Sequence, residues 1–287
     1  MLKMNALCAP CFLSKHAREA YNLDPEKASD FCKELLSMVS AAIDTDNSCH
    51  LDALVRPLYK KYFGYTGDPF AEEKRLSNAF VLERLSQIRA LVQQQRDPVF
   101  AALQFAILGN YLDFSALKGN VSFEKLDEML KNALSMELPM EVYESLRADL
   151  EKAKTMLYVT DNAGEIGFDR IFAEELQKAY PDLEITFCVR GAPTLNDATR
   201  EDAAVMGIPF KIIDTGNNVC GVELGLLGEE AQQALDHSDV IFTKGMGNVE
   251  TLYGSKYEIY FAFLTKCDLI MEVFQKPFMT PMLVHQK

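Results

Sequence analysis

The sequence predicts an α/β protein: a Rossmann-like three-layer α/β/α domain with a mostly parallel sheet, preceded by an all-helical domain. Two observations indicate this organisation. Apolar runs of strand length alternate with helical patterns in the second half, whereas the first half carries helix-start signals and almost no strand pattern. We therefore expect residues 1–150 to form a helical domain that caps the site, and residues 151–287 to form the α/β domain.

The helices of the first half are predicted from their start signals. Asp24 precedes Pro25 and Asp97 precedes Pro98, which is the arrangement of an N-cap followed by proline at the first helical position. Apolar residues follow both with helical spacing. Further helices are expected over residues 71–94, 122–133 and 139–153.

The second half contains five apolar runs of strand length. They cover residues 156–159, 185–189, 210–213, 240–242 and 269–273, and helices are predicted over 168–179 and 201–206. Continuous apolar runs that alternate with helices indicate a parallel sheet covered on both faces.

Composition narrows the classes of function. The formal net charge of −13 and the pI of about 4.8 argue against binding to nucleic acid and to anionic membranes. No signal-peptide pattern is seen, and no apolar run reaches the roughly 18 residues that span a bilayer. The seven cysteines are an odd number and mostly scattered, which is typical of reduced thiols in a cytoplasmic protein.

Polar residues follow three of the predicted strands. Asp161 and Asn162 follow the first strand, and Asn196 and Asp197 lie in the loop after the second. Because carboxyl ends of parallel strands share one edge of the sheet, these side chains are expected to meet. Two carboxylates and an amide oxygen suit Mg²⁺ or Mn²⁺ better than zinc.

The fourth strand ends in Lys244, which Gly245 and Gly247 follow closely. An ammonium group and accessible backbone amides predict a phosphate site, to which Asn248 could donate a further hydrogen bond. A metal and a lysine together suit phosphoryl transfer. The sequence leaves open whether water or an aspartate carboxylate attacks phosphorus.

Each of these residues also has a purely structural interpretation. Asp161–Asn162 and Asn196–Asp197 could be turns or helix caps, and Glu165 could be a first-turn acid.

The segment Gly109–Phe114 carries a similar ambiguity. Asn110 and Asp113 are three residues apart and therefore share a helix face. Taken alone, the segment favours a close helix crossing at Gly109 over a polar cleft. Asn78 is expected to be solvated.

The Cys8–Cys11 motif leaves three alternatives open: incidental or structural thiols, half of a metal site, or a redox pair. His16, Cys32, Cys49 and His50 are conceivable metal partners, but the spacing selects none of them.

The sequence does not support several other classes of α/β enzyme. The turn after the first strand does not have the GxGxxG spacing, and no P-loop or GxSxG motif is present. Arg190 ends the second strand where NAD enzymes and methyltransferases carry an acid. An S-adenosylmethionine-dependent carboxyl methyltransferase and a non-catalytic phospho-ligand binding protein remain as alternatives.

The motifs together resemble those of the damage-control phosphatases, a metal-dependent family once classed as a domain of unknown function, with acidic-residue-methyltransferase-like members. The matching segments are VTDNAGEIGFD, VRGAPTLNDATREDA, FTKGMGNVETL, GNYLDF, GDPFAEEKRLSN and CAPC, as in the short prokaryotic branch. They cover most of the chain. The resemblance extends to Lys266–Cys267, after which this chain is more acidic than the family pattern.

The resemblance implies a hydrolase of phosphomonoesters of small metabolites, such as sugar phosphates, that uses Mn²⁺, Mg²⁺, Co²⁺ or Ni²⁺. It implies a metal triad of Asp161, Asn162 and Asp197, with Lys244 binding phosphate and with Asp161, Asp197 and Lys244 as the catalytic residues. It also brings Asn110 and Asp113 towards the cleft, which reverses the interpretation from spacing alone. The full set predicted to bind substrate is Asn110, Asp113, Glu165, Arg190, Asn196, Gly245 and Asn248.

Overall fold

The computed structural model describes residues 1–117 and 120–287. Its centre is one six-stranded sheet in the order β3-β2-β1-β4-β5-β6. The strands are β1 (Thr155–Val159), β2 (Glu184–Val189), β3 (Lys211–Asp214), β4 (Val240–Lys244), β5 (Ile259–Leu264) and β6 (Pro281–Gln286). All neighbouring pairs are parallel except β5 and β6. The predicted mostly parallel sheet is confirmed.

One strand prediction is wrong. Residues 269–273 lie in the helix Asp268–Phe274, because the Cys267 side chain caps it by accepting a hydrogen bond from the Ile270 amide. The fifth strand is instead the apolar run Ile259–Leu264, which is buried at every position. Periodicity does not distinguish a short buried strand from a short buried helix, and Ile259–Leu264 is a strand because it pairs with β4 and β6.

The helices are α1 (Cys8–Leu23), α2 (Pro25–Ala42), α3 (Ser48–Phe63), α4 (Ala71–Leu82), α5 (Leu85–Gln93), α6 (Pro98–Gly109), α7 (Phe123–Lys131), α8 (Met140–Leu150), α9 (Glu165–Ala179), α10 (Arg200–Val205), α11 (Glu229–His237), α12 (Gly245–Leu252) and α13 (Asp268–Phe274). The predicted starts at Asp24 and Asp97 are confirmed, since both side chains accept hydrogen bonds from first-turn amides. The helix predicted over 71–94 is two helices, α4 and α5. They are separated at Arg84, whose amide bonds three residues back to the Val81 carbonyl.

The two faces of the sheet carry separate cores. Tyr158, Phe187 and Phe242 pack with α4 to α10 on one face, and Leu157, Ile241 and Phe261 pack with α11 to α13 on the other. Alternate residues of each strand thus point to opposite helical layers. Helices α1 to α3 have a third core of their own around Phe31. The helices between residues 71 and 150 therefore share a core with one face of the sheet, whereas α1 to α3, called the additional helical unit below, share a core of their own. The domain boundary near residue 150 stays a prediction.

The chain turns away from β1 in both directions, with β2 on one side and β4 on the other. At such a switch point the loops leaving the carboxyl ends diverge and open a crevice. Asp161 follows β1, and Gly245 follows β4, so both lie at this crevice. Among the residues that the structure describes, no helix is long and apolar enough to cross a membrane.

Candidate active site

The loop after β1 is a tight turn into α9. Gly164 adopts φ +76°, and a Cβ there would meet the Ser77 side chain of α4 at 2.8 Å. Its amide donates to Asn78 Oδ1 at 2.7 Å, and Asn78 Nδ2 donates to Asp202 Oδ1 at 2.8 Å. Asn78 is buried, so the expectation that it is solvated is wrong: it anchors this turn to α4 and α10.

Backbone contacts join the loops after β1 and β2. Asn162 and Asp197 form an isolated antiparallel bridge. The Ala198 amide donates to the Asp161 carbonyl at 2.7 Å, and the Ala163 amide donates to the Asn196 carbonyl at 2.9 Å. The structure therefore brings Asp161, Asn162 and Asp197 together at one edge of the sheet.

Each of the two aspartates has one oxygen held and one available. Asp161 Oδ2 accepts from Asn110 Nδ2 at 2.8 Å and from Asn162 Nδ2 at 2.7 Å, and Asp197 Oδ2 accepts from Arg190 Nε at 2.6 Å. Neither Oδ1 accepts a hydrogen bond within the described part of the chain. Both residues, with Asn162, line a cavity of about 300 Å³. Free carboxylate oxygens at a cavity wall are suitable ligands for a hard divalent cation.

The charges around these aspartates also favour a cation. Burial raises the pKa of Asp161 well above its usual range, and the carboxylates of Asp197, Glu165 and Asp113 raise it further. Burial likewise raises the pKa of Asp197, although the Arg190 guanidinium opposes the shift. Buried acids that repel one another are expensive to ionise unless a positive charge joins them, so this donor set fits a bound metal.

The structure places the Lys244 ammonium in the protein interior and not at the cavity. Its side chain is fully buried, and Nζ donates to Glu165 Oε1 at 2.6 Å, Asp169 Oδ1 at 2.8 Å and the Ala106 carbonyl at 2.7 Å. These contacts use all three of its donors. Burial favours the neutral amine, but Asp169 and Glu165 outweigh it and raise the pKa of Lys244.

Lys266 is the lysine that the structure brings to the residues predicted to hold a metal. It follows β5 and Thr265, and Nζ donates to Asp113 Oδ2 at 2.7 Å and to the Asn110 carbonyl at 2.5 Å. Its side chain is fully buried, as that of Lys244 is, but one of its three donors has no partner among the described residues, and the residue lines the cavity. The sequence signal for this lysine is its place in the Lys266–Cys267 pair of the family resemblance; its position after a strand was missed because Ile259–Leu264 was not predicted as a strand.

The predicted residues divide into two sets. Those that line the cavity are Asp113, Asp161, Asn162 and Asp197. Those that lie behind it and hold the first set are Asn110, Glu165, Arg190, Asn196, Lys244, Gly245 and Asn248.

The second set is linked by hydrogen bonds. Glu165 accepts from the side-chain amides of Asn110 and Asn162, and Asn196 Nδ2 donates to Asn162 Oδ1 at 2.7 Å. Asn248 Nδ2 donates to the Thr160 carbonyl at 3.1 Å, while its Oδ1 accepts from Arg190 at 3.2 Å. This network fixes the positions of the cavity-lining oxygens.

Two glycines permit close packing at the site. Gly109 is at a close crossing of α6 and α9, where a Cβ would lie 2.5 Å from the Phe168 ring. Gly245 has φ +78°, and a Cβ there would lie 1.9 Å from Asp161 Oδ2. Both the close crossing at Gly109 and the burial of Asn110 in the site are therefore observed.

Residues 4–278 match the family model described as the damage-control phosphatase ARMT1-like domain. The chain belongs to this family. The resemblance found in the motifs is thereby confirmed.

Similar proteins come from archaea. A damage-control phosphatase of Archaeoglobus fulgidus is 30% identical, over 93% of this chain and 93% of the relative. A damage-control phosphatase of Pyrococcus horikoshii is 32% identical, over 76% and 74%, and an uncharacterised protein of Methanocaldococcus jannaschii is 31% identical, over 94% and 91%. The crystal structure of a DUF89 family protein from Pyrococcus horikoshii has a TM-score of 0.83 at 26% identity and covers all of both chains.

In this member of the damage-control phosphatase family, the N-terminal motif also borders the cavity. Cys8 and Cys11 begin α1 and line the same cavity as Asp161, as does Cys267. All seven cysteines are free thiols. The conceivable partner His16 instead lies beside Tyr59 and Asp52 in the helical unit.

A second acidic cluster lies at the other edge of the sheet. Ligand atoms of Asp149, Glu258 and His285 lie within 4.8 Å of one another. Glu258 immediately precedes β5, so this cluster is at the amino ends of the parallel strands. The side chains bond within the protein: Tyr260 donates to Asp149 at 2.5 Å, and His285 Nε2 lies 2.8 Å from Glu258. The cluster is therefore a structural network remote from the cavity.

Proposed function

We propose that this protein is a metal-dependent phosphatase that hydrolyses phosphomonoesters of small, damaged metabolites such as sugar phosphates. The observation that supports this best is the cavity itself, which Asp161, Asn162 and Asp197 line together with Lys266 and its partner Asp113. Membership of the damage-control phosphatase family and the two relatives of that name support the reaction class.

Asp161, Asn162 and Asp197 would hold the divalent cation, for which Mn²⁺, Mg²⁺, Co²⁺ and Ni²⁺ are the candidates. A cation bound there would neutralise phosphoryl oxygens and make water a better nucleophile. Asn196 would orient Asn162, because its side-chain amide donates a hydrogen bond to Asn162 Oδ1. Arg190 orients Asp197 through the hydrogen bond from its Nε.

Lys266 is the residue that binds the phosphoryl group. Its third donor is available, and Asp113 and the Asn110 carbonyl fix its direction. Lys244 is assigned a positioning role, because its ammonium holds Glu165, which in turn holds Asn110 and Asn162. Because the Lys266 ammonium is already held in place, it would stabilise negative charge on the transferring phosphoryl group without reorganising during the reaction.

The cavity suits a small ligand. Its volume of about 300 Å³ is at the lower end of the range for small-molecule sites. Six acidic residues, Asp113 among them, line the cavity. Their negative charge favours a ligand that binds together with a metal cation and disfavours nucleic acid. With seven free thiols the protein is suited to the reducing cytoplasm.

The test is hydrolysis of p-nitrophenyl phosphate after treatment with EDTA and after addition of Mn²⁺. We expect no turnover with the chelator, recovery with Mn²⁺, and a loss of about hundredfold or more in kcat/KM for Asp161→Asn and for Lys266→Met. Asp30→Asn, at an exposed position of α2, is the matched control. Turnover that persists in EDTA or in Asp161→Asn would contradict the proposal.

Two further measurements separate the alternatives. Heat on titration with S-adenosylmethionine, together with no hydrolysis, would favour a methyltransferase. A rise in melting temperature with phosphate esters and Mn²⁺, again with no hydrolysis, would favour a phospho-ligand binding protein.

A further inference from the structure

One face of α1 forms a wall of the active-site cavity. Cys8, Cys11, Phe12 and Lys15 line it, and they are spaced three, four and seven residues from the first. This spacing places them in one stripe that runs for about 10 Å along the helix. The additional helical unit therefore contributes side chains to whatever ligand occupies the cavity.

Lys15 is the cation in this stripe. Among the described residues that line the cavity, Lys15 and Lys266 are the lysines, and no arginine lines it. Lys15 Nζ donates to Asp52 Oδ1 at 2.9 Å, and the side chain is 25% exposed. An ammonium group has three donors, so two are left for a ligand within the described surroundings.

Asp52 does not depend on Lys15 alone. Its Oδ1 lies 3.3 Å from His16 Nε2, and its Oδ2 lies 3.6 Å from Arg56 Nε. Burial opposes ionisation of Asp52, but the charges of Lys15, His16 and Arg56 outweigh it and hold its pKa below the usual range. If the Lys15 ammonium turned towards a ligand, the Arg56 guanidinium would still compensate the Asp52 carboxylate.

Lys15 is charged when a ligand arrives. Burial lowers its pKa, but the adjacent Asp52 carboxylate more than reverses this and raises the pKa of Lys15 overall. A permanent positive charge that retains free donors binds carboxylate or phosphate oxygens through charge-assisted hydrogen bonds.

Lys15 and the three residues proposed to hold the metal line the same cavity. Cys49 and Cys220 line this cavity as well. Asp197 and Lys15 therefore border one cavity of about 300 Å³, the size of a site for a small molecule.

The other charged groups of the cavity wall restrict where a second anion can lie. Glu250 and Asp268 are acidic and line the wall near the Cys8–Cys11 motif. With Lys266 occupied by the phosphoryl group, these acids repel an anion, whereas Lys15 attracts it. The wall therefore favours one orientation for a ligand with an anion at each end.

We propose that Lys15 is a specificity-determining residue that binds a second anionic group of the substrate. The substrates are then phosphomonoesters that also carry a carboxylate or a second phosphate. This inference rests on the proposed phosphatase function, with the reacting phosphoryl group at Lys266 and the metal triad.

The test compares substrates that differ in one anionic group. Glycerol 3-phosphate is paired with 3-phosphoglycerate, and glucose 6-phosphate is paired with 6-phosphogluconate, each with Mn²⁺. In the wild type we expect at least one pair to show about a tenfold higher kcat/KM for the carboxylate member, with the difference in KM. Lys15→Met should remove this preference, and Lys15→Arg should retain it.

The controls distinguish recognition from folding and from the reaction itself. Lys3→Met changes an exposed lysine outside the cavity and should keep the preference. No preference in either wild-type pair, or the same preference in Lys15→Met, would overturn the assignment of Lys15 while p-nitrophenyl phosphate hydrolysis still supported the phosphatase. If no ester were hydrolysed, the Kd values of glucose 6-phosphate and 6-phosphogluconate for wild type and Lys15→Met would test the anion site separately.

Discussion

Replacing Gly245 by alanine tests whether the proposed phosphatase activity depends on the geometry of the proposed metal triad. Gly245 has φ +78°, where an L-residue with a Cβ costs about 1–2 kcal/mol. The added Cβ would also lie 1.9 Å from Asp161 Oδ2. Ordinary contact requires about 3.4 Å, so the carboxylate would have to retreat by about 1.5 Å.

Gly254 provides a matched control for the backbone. It has the same φ of +78°, but the nearest atom to an added Cβ is the Met1 nitrogen at 3.6 Å. Gly254→Ala therefore imposes the backbone strain without the collision. Both variants should lose about 1–2 kcal/mol of unfolding free energy from strain, and only Gly245→Ala should disturb Asp161.

The assay is kcat/KM on p-nitrophenyl phosphate with Mn²⁺, together with the rise in melting temperature that Mn²⁺ causes. A displacement of 1 Å at a reacting centre can cost about hundredfold, so we expect at least that loss for Gly245→Ala and a smaller Mn²⁺-induced shift. Gly254→Ala should retain both. Equal activity in the two variants would refute the assignment of Asp161 to the metal triad.

Two further outcomes follow from the buried charges behind the site. Lys244→Met should lower the unfolding free energy by about 3–5 kcal/mol, because it leaves Glu165 and Asp169 buried without their cation. Adding Asp169→Asn should restore part of that free energy in denaturant titrations. A Lys244→Met variant that is stable and shows only a raised KM would instead favour a phosphate-binding Lys244. Burial raises the pKa of Asp169 to about 7, so its ionisation removes stability as pH rises from about 4 to about 7. Over that window in EDTA, the melting temperature of Asp169→Asn should fall less than that of the wild type, and parallel curves would contradict this.

The loop chemistry of the site could be predicted from local sequence. Asp161, Asn162 and Asp197 stand where apolar strands give way to turns, and such turns select short oxygen-bearing side chains. Parallel strands then place all carboxyl ends at one edge, so the triad needed no knowledge of long-range contacts. The N-caps at Asp24 and Asp97 were predictable for the same local reason.

The assignment of the lysines depended on tertiary structure. Lys244 ends β4, and whether its side chain enters the crevice or the core depends on what packs on each face of that strand. Here α9 presents Glu165 and Asp169 on the core side, and they capture the ammonium. Lys266 reaches the triad only because β5 pairs between β4 and the antiparallel β6.

The same distinction holds for the asparagines and for α1. The sequence alone determined an α/β sheet, its acidic rim and the residue types suited to a hard cation, because these follow from short-range periodicity and turn preference. Packing of distant helices decided that Asn78 and Asn110 are buried supports and that Lys15 borders the cavity. Helical spacing shows which residues share a face, but not which partner that face meets.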